Sequence, residues 1–201
     1  MQEGTLRPGG TGLARLMLRA LLLLGAFITF ARADAEPRGE AAVWHALAQG
    51  GHVALMRHAL APGVGDPPGF VLDDCSTQRN LSGAGRDQAL EIGERFREQG
   101  IQVATIYSSR WCRALETAEL LGLGEVVPAP ALDSFFRERG ETEARTRAAR
   151  DLIRDWNGEG TLVLVTHQVN ITALVGGGVG SGEIIVVRPG AAGLEMIGRL
   201  R

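Results

Sequence analysis

His52-Val53-Ala54-Leu55-Met56-Arg57-His58-Ala59 decides how this chain is read. Val53 to Met56 are apolar, and the run stops at an Arg-His pair. Gly50-Gly51 leads in and Pro62-Gly63 lies beyond, so the stretch reads as a short strand buried on both faces. Arg57 and His58 then fall at the carboxyl end of that strand, where open α/β sheets hold their ligands. A cation that can hold an anion sits beside an imidazole that can attack it. An ordinary strand end with two polar residues is the alternative, and the rest of the chain has to decide between them.

Working outward, a second buried strand, Thr161 to Thr166, stops at His167, and a third, Val103 to Tyr107, runs into Ser108-Ser109-Arg110-Trp111-Cys112-Arg113. The last segment opens a helix through Leu121. The three-residue spacing of Arg110 and Arg113 predicts that they share a face at the helix N-terminus, which already favours an anion. Further helices are expected over Glu40–Gln49, from Ser82 to Gly100 with Ser82 as N-cap, over Glu141–Trp156, and after His167. Glu125–Val127, Glu183–Val187 and Leu194–Leu200 read as strands, the last two as a hairpin around Pro189-Gly190. Strands alternating with helices predict an α/β fold, a three-layer sandwich whose mostly parallel sheet carries helices on both faces.

In such a sheet the three endings lie on one edge and bring Arg57, His58, Arg110, Arg113 and His167 together. That set suits a phosphomonoester. Guanidinium forks match phosphoryl oxygens in bidentate fashion. A neutral imidazole can attack phosphorus and form a phosphohistidine. A second, protonated imidazole can stabilise the charge on the equatorial oxygens. The long Pro/Gly-rich connection from Pro62 to Asn80 is placed to wall the site, and it adds Arg79 as a further phosphate ligand.

Composition bounds the rest. The chain has 201 residues, is 45% hydrophobic and carries a net charge of −2, as expected of one globular domain with no nucleic-acid partner. All 21 basic residues are Arg, which excludes lysine-based chemistry. The histidines are scattered and no CxxC or HExxH occurs, so no metal or cofactor is expected. The glycine-rich Gly176–Gly182 lacks nucleotide-loop spacing.

Residues 1–35 read as a signal peptide. Arg7, Arg15 and Arg19 precede an apolar run, Ala20 to Phe30, with cleavage sites after Ala33 or Ala35. The expectation is an exported 36–201 domain, periplasmic or secreted, with no stable membrane span after cleavage. An uncleaved, membrane-anchored form is the alternative. Cys75 and Cys112 form a disulfide or remain two buried free thiols; the spacing does not decide. The oligomeric state is left open.

Four segments in order resemble the histidine phosphatase superfamily, also called phosphoglycerate mutase-like. Met56-Arg57-His58-Ala59 resembles its Arg-His signature, and Leu81-Ser82-Gly83-Ala84-Gly85-Arg86-Asp87-Gln88-Ala89 its second helix start. Ser108-Ser109-Arg110-Trp111-Cys112-Arg113-Ala114-Leu115-Glu116-Thr117-Ala118 resembles its arginine helix, and Val165-Thr166-His167 its second histidine. The resemblance implies His58 as nucleophile, with Arg57, Arg113 and His167 completing the phosphate pocket. It also shows a departure. Many members carry a glutamate after the third strand, where this chain has Leu132-Asp133-Ser134, with Ser134 at the acid position. Asp133 is the substitute acid, and Glu183 is a further candidate. The reading is therefore a metal-independent phosphomonoester hydrolase acting on a small phosphorylated substrate. The alternatives are a catalytically weak phospho-ligand-binding protein of the envelope and a phosphatase for an envelope sugar phosphate.

Overall fold

The computed structural model describes Met1 and residues 39–201; the expected signal segment and its cleavage sites lie outside the described residues. The chain runs α1 (Glu40–Ala48), β1 (His52–Arg57), α2 (Gly83–Glu98), β2 (Val103–Ser108), α3 (Cys112–Leu120), β3 (Val126–Pro128), α4 (Thr142–Arg154), β4 (Thr161–Thr166), α5 (Gln168–Val175), β5 (Ile184–Gly190) and β6 (Gly193–Leu200). The six strands form one sheet in the order β3-β2-β4-β1-β5-β6. The four from β3 to β1 are parallel, while β5 and β6 run antiparallel as a hairpin at the end of the chain.

The period of two in β1 and β4 splits their side chains between two cores. Ala54, Met56, Val163 and Val165 face one side, where Trp44 and Leu47 of α1, Phe96 of α2 and Ala114 of α3 pack on them. Val53, Leu55, Leu162 and Leu164 face the other, against Ile153 of α4 and Ile171 of α5. All eight strand residues are fully buried, which explains why both strands read as continuous apolar runs. The result is a three-layer α/β/α sandwich.

Register then fixes the site. β1 and β4 pair with Arg57 opposite Thr166, and β2 pairs with β4 with Ser108 opposite Val165. His58, Ser109 and His167 therefore emerge side by side from adjacent strands. The α2 helix packs close to the exit of β1. Ser82 caps it by accepting from the Gly85 amide at 3.0 Å, and a Cβ at Gly85 would stand 2.1 Å from the Leu60 carbonyl oxygen. The glycine of the Leu-Ser-Gly-Ala-Gly segment is thus required by approach distance.

One expectation about the backbone is corrected. The α3 helix begins at Cys112 behind Trp111, so Arg110 lies before the helix and does not share its first turn with Arg113. Trp111 is extended, so helical geometry does not reach back to Arg110, and the Arg110 amide and guanidinium both donate to the Asp133 carboxylate instead. Among the described residues no helix is long and apolar enough to cross a membrane.

Candidate active site

His58 is 2% exposed. Its Nδ1 lies 2.8 Å from the Ala59 carbonyl oxygen, which can only accept, so Nδ1 carries the hydrogen and Nε2 carries the lone pair. Arg113 Nε donates to that Nε2 at 3.3 Å. Burial, followed by the Arg113 charge and more weakly by Arg57 and Arg79, pushes the His58 pKa down to about 3. The ring is neutral at ordinary pH, and the nitrogen facing the guanidiniums is the one able to attack.

The His167 ring lies 5.4 Å from that of His58, at 64° between planes. Its Nε2 is 2.8 Å from Ser109 Oγ, at the end of β2. Burial, Arg113 and His58 hold its pKa well below the usual range. The sequence reading has this imidazole protonated; among these protein groups it is neutral. An arriving dianion acts in the opposite direction, offsetting the guanidinium charges that keep the proton off.

Three guanidiniums surround the pair. Arg57 donates Nη1 to the Val179 carbonyl at 2.9 Å, tying the glycine-rich segment to the site, while its Nε is buried with no hydrogen-bond partner. Arg79 is anchored by carbonyls, donating Nε to Gly65 at 2.9 Å and Nη1 to Ala61. Arg113 is 3% exposed, and burial lowers its pKa to about 10 against the opposing pull of Asp66. Arg57 and Arg79 are half-buried beside the buried Arg113, and this gathering of three cations, offset by the single Asp66 carboxylate, is an arrangement suited to an anion.

Together Arg57, His58, Arg79, Arg113 and His167 line a cavity of about 550 Å³. Phe70, Trp111, Phe136, Arg137, Glu138 and Arg139 line it as well. Ser134, at the position of the family acid, also lines it.

Two residues expected in the site stand apart from it. Asp133 is 1% exposed and lines none of this cavity. Its oxygens accept from the Arg110 amide at 2.9 Å, from Arg110 Nε at 2.9 Å and from Arg110 Nη2 at 2.6 Å. It also accepts from Ser109 Oγ at 3.4 Å, so it supports the serine beside His167 and leaves no free oxygen to deliver a proton. Arg110 spends its guanidinium on this carboxylate and does not line the cavity. Glu183, the other acid considered, is buried elsewhere, accepting from the Gly180 amide at 2.7 Å and from Arg199 at 3.1 Å.

The sequence reading missed Asp66. This 8%-exposed carboxylate comes from the Pro/Gly-rich insert and accepts from Arg113 Nη1 at 2.7 Å and from Trp111 Nε1 at 3.0 Å. Gly65-Asp66-Pro67 reads in sequence as a turn, and only the left-handed Gly65 (φ 69°) beside Arg137 hints at a shaped loop. Cys75 and Cys112 form a disulfide with an S–S distance of 2.06 Å, which ties the insert to the start of α3.

A family model, the histidine phosphatase superfamily (branch 1), matches residues 53–140. Solved structures share the fold. A putative phosphohistidine phosphatase SixA from Agrobacterium tumefaciens is 21% identical, with a TM-score of 0.52, over 75% of this chain and 97% of that one. A phosphoserine phosphatase from Entamoeba histolytica, in complex with 3-phosphoglyceric acid, is 16% identical, with a TM-score of 0.55, over 75% and 96%. A mycobacterial glucosyl-3-phosphoglycerate phosphatase in complex with VO3 is 20% identical, with a TM-score of 0.54, over 72% and 96%. No curated protein matches the chain. The family model covers the strand that carries Arg57-His58 and the helix that carries Arg113, and the sheet adds His167 beside them; over residues 53–140 the chain is similar to the histidine phosphatase superfamily, and its fold is that of the solved phosphatases.

Proposed function

We propose that this protein is a metal-independent phosphomonoester hydrolase working through a phosphohistidine on His58. One observation carries the reading. Arg57 Nε is a buried donor without a partner, in a pocket where two further guanidiniums and a neutral imidazole lone pair face inward. A phosphoryl dianion satisfies that donor and offsets the cations.

In the first step His58 Nε2 bonds to phosphorus and the P–O bond to the leaving group breaks. Arg57, Arg79 and Arg113 hold the equatorial oxygens as charge spreads over them. In the second step water attacks the phosphohistidine, the P–N bond breaks, and phosphate leaves with His58 again neutral. Asp133 and Asp66 are both committed to arginines, so neither is free to protonate the departing oxygen. Leaving groups that need no proton, such as aryl oxides, therefore turn over faster than alkyl ones. The same observation favours a second reading, a phosphate-binding protein of low activity.

The purified protein tests this with an aryl phosphate in the presence of chelator. Hydrolysis that is lost in His58→Ala supports the proposal. Absence of hydrolysis with retained oxyanion binding supports the second reading. Full activity in His58→Ala rejects the mechanism. We also propose that the chain is exported, on the strength of its signal-like N-terminal sequence and of the Cys75–Cys112 disulfide, which suits an oxidising compartment.

A further inference from the structure

The insert between β1 and α2 does more than wall the cavity. It places a carboxylate inside a pocket built for an anion, which by charge alone opposes phosphate binding. The geometry gives a reason for it. Asp66 Oδ1 takes the Arg113 Nη1 hydrogen at 2.7 Å and the Arg79 amide at 3.0 Å, while Oδ2 takes Trp111 Nε1 at 3.0 Å. Both members of the Asp66–Arg113 pair are under a tenth exposed. With Nη1 held there, Arg113 Nε is left aimed at His58 Nε2.

The loop that carries Asp66 is in turn fastened to the helix that carries Arg113. Cys75 of the insert is bonded to Cys112, the residue before Arg113, and the Cys112 amide donates to Gln78 Oε1 at 3.1 Å. Asp66 and Cys75 thus grip the start of α3 from one loop, at Trp111, Cys112 and Arg113. Among the described residues Arg113 has no other ion pair.

We infer that Asp66 is a positioning residue, which holds Arg113 against His58, and that the Cys75–Cys112 bond keeps Asp66 in place, so that the phosphate site is complete only in the oxidised protein. The inference rests on the phosphate-binding reading of the cavity. Reduction breaks the S–S bond and gives two thiols, the electrons coming from an added phosphine or dithiol. The insert is then joined to α3 by hydrogen bonds and the Asp66 pair alone. Burial pushes the Asp66 carboxyl up, but Arg113 and the Arg79 amide more than offset this, so it stays ionised and fit for holding a cation.

The test measures tungstate affinity by calorimetry, and kcat and KM on an aryl phosphate, for the wild type, for Asp66→Asn and for the Cys75→Ser/Cys112→Ser double variant, each with and without phosphine. If Asp66 positions Arg113, Asp66→Asn weakens tungstate binding by about tenfold or more, the scale of one charge-assisted hydrogen bond, and KM rises as kcat falls. If it were only a neighbouring negative charge, its removal would tighten tungstate binding, and that result overturns the inference. Phosphine should weaken tungstate binding to the wild type in the same direction and leave the double variant, already weakened, unchanged. Unchanged affinity in reduced wild type rejects the redox half, and this arm stands even if Asp66→Asn does not fold. A general loosening would lower kcat with KM unaltered, which also counts against positioning. Tungstate binding without turnover would sink the hydrolase reading while leaving Asp66 tested; an indifferent Asp66→Asn in an active enzyme sinks the inference alone. A wild type that binds no tungstate overturns both.

Discussion

Acid should destabilise this protein through the site histidines before its carboxylates titrate. In the unfolded chain His58 takes up a proton near its ordinary value of 6.5, whereas in the folded protein it resists protonation down to about 3. Between those values the unfolded state binds more protons, so stability falls as pH falls. Each pH unit is worth about 1.4 kcal/mol per group once the unfolded histidine is fully protonated. From about pH 7.5 to about pH 5 a single such histidine removes about 2 kcal/mol, and His167, depressed in the same direction, adds to this. The lowered carboxyls of Asp66 and Glu183 have ordinary values of 3.8 and 4.5, so they contribute little in that window. A loss of about 2 kcal/mol is a large share of the 5–15 kcal/mol typical of a domain, roughly, and is readily measured. The assay is urea unfolding at both pH values, for the wild type and for His58→Gln, which keeps an acceptor for Arg113. The wild type should lose more stability than the variant, by about 2 kcal/mol. Equal losses in both proteins would refute the claim that His58 is held neutral by burial and by its arginines.

Other outcomes follow from the same geometry. Arg113→Ala should lower kcat by roughly 10²-fold or more, whereas Arg110→Ala, which removes a ligand of Asp133 outside the cavity, should cost under roughly tenfold; steady-state kinetics on an aryl phosphate separates them. Asp133→Asn should likewise keep most of its activity, because its carboxylate serves Arg110 and Ser109, and loss of the alkaline limb of the pH profile in this variant, the signature of a removed general acid, would contradict that assignment. Gly85→Ala should destabilise the fold by about 1–3 kcal/mol, since its Cβ would collide with the Leu60 carbonyl; thermal unfolding reports it. Chelator should leave hydrolysis unchanged.

Much of the architecture could be read from strand endings. The apolar runs into Arg57-His58 and His167 are decisive because a strand buried on both faces has no polar positions to confuse its period, and parallel pairing then places both endings on one edge. The expectation failed where a side chain had two possible partners. Helical spacing put Arg110 beside Arg113, but spacing along the chain says nothing of Asp133, which arrives 23 residues later and claims Arg110. Asp66 was illegible for a related reason. The Pro/Gly-rich insert has no period of its own, and its shape comes from a disulfide and from hydrogen bonds to Arg79, Trp111 and Arg113 across the fold. The sequence marked the cysteines and the arginines of that region without showing that they close on one another.

The most direct test of the account is to trap the intermediate. The enzyme is mixed with an aryl phosphate, quenched in alkali during turnover, digested, and its peptides are sequenced by mass spectrometry under conditions that preserve phosphoramidates. The account predicts phosphate on His58, absent from His58→Ala. Phosphate on His167 or Ser109 instead, or steady turnover with no phosphorylated protein at any time, would contradict it.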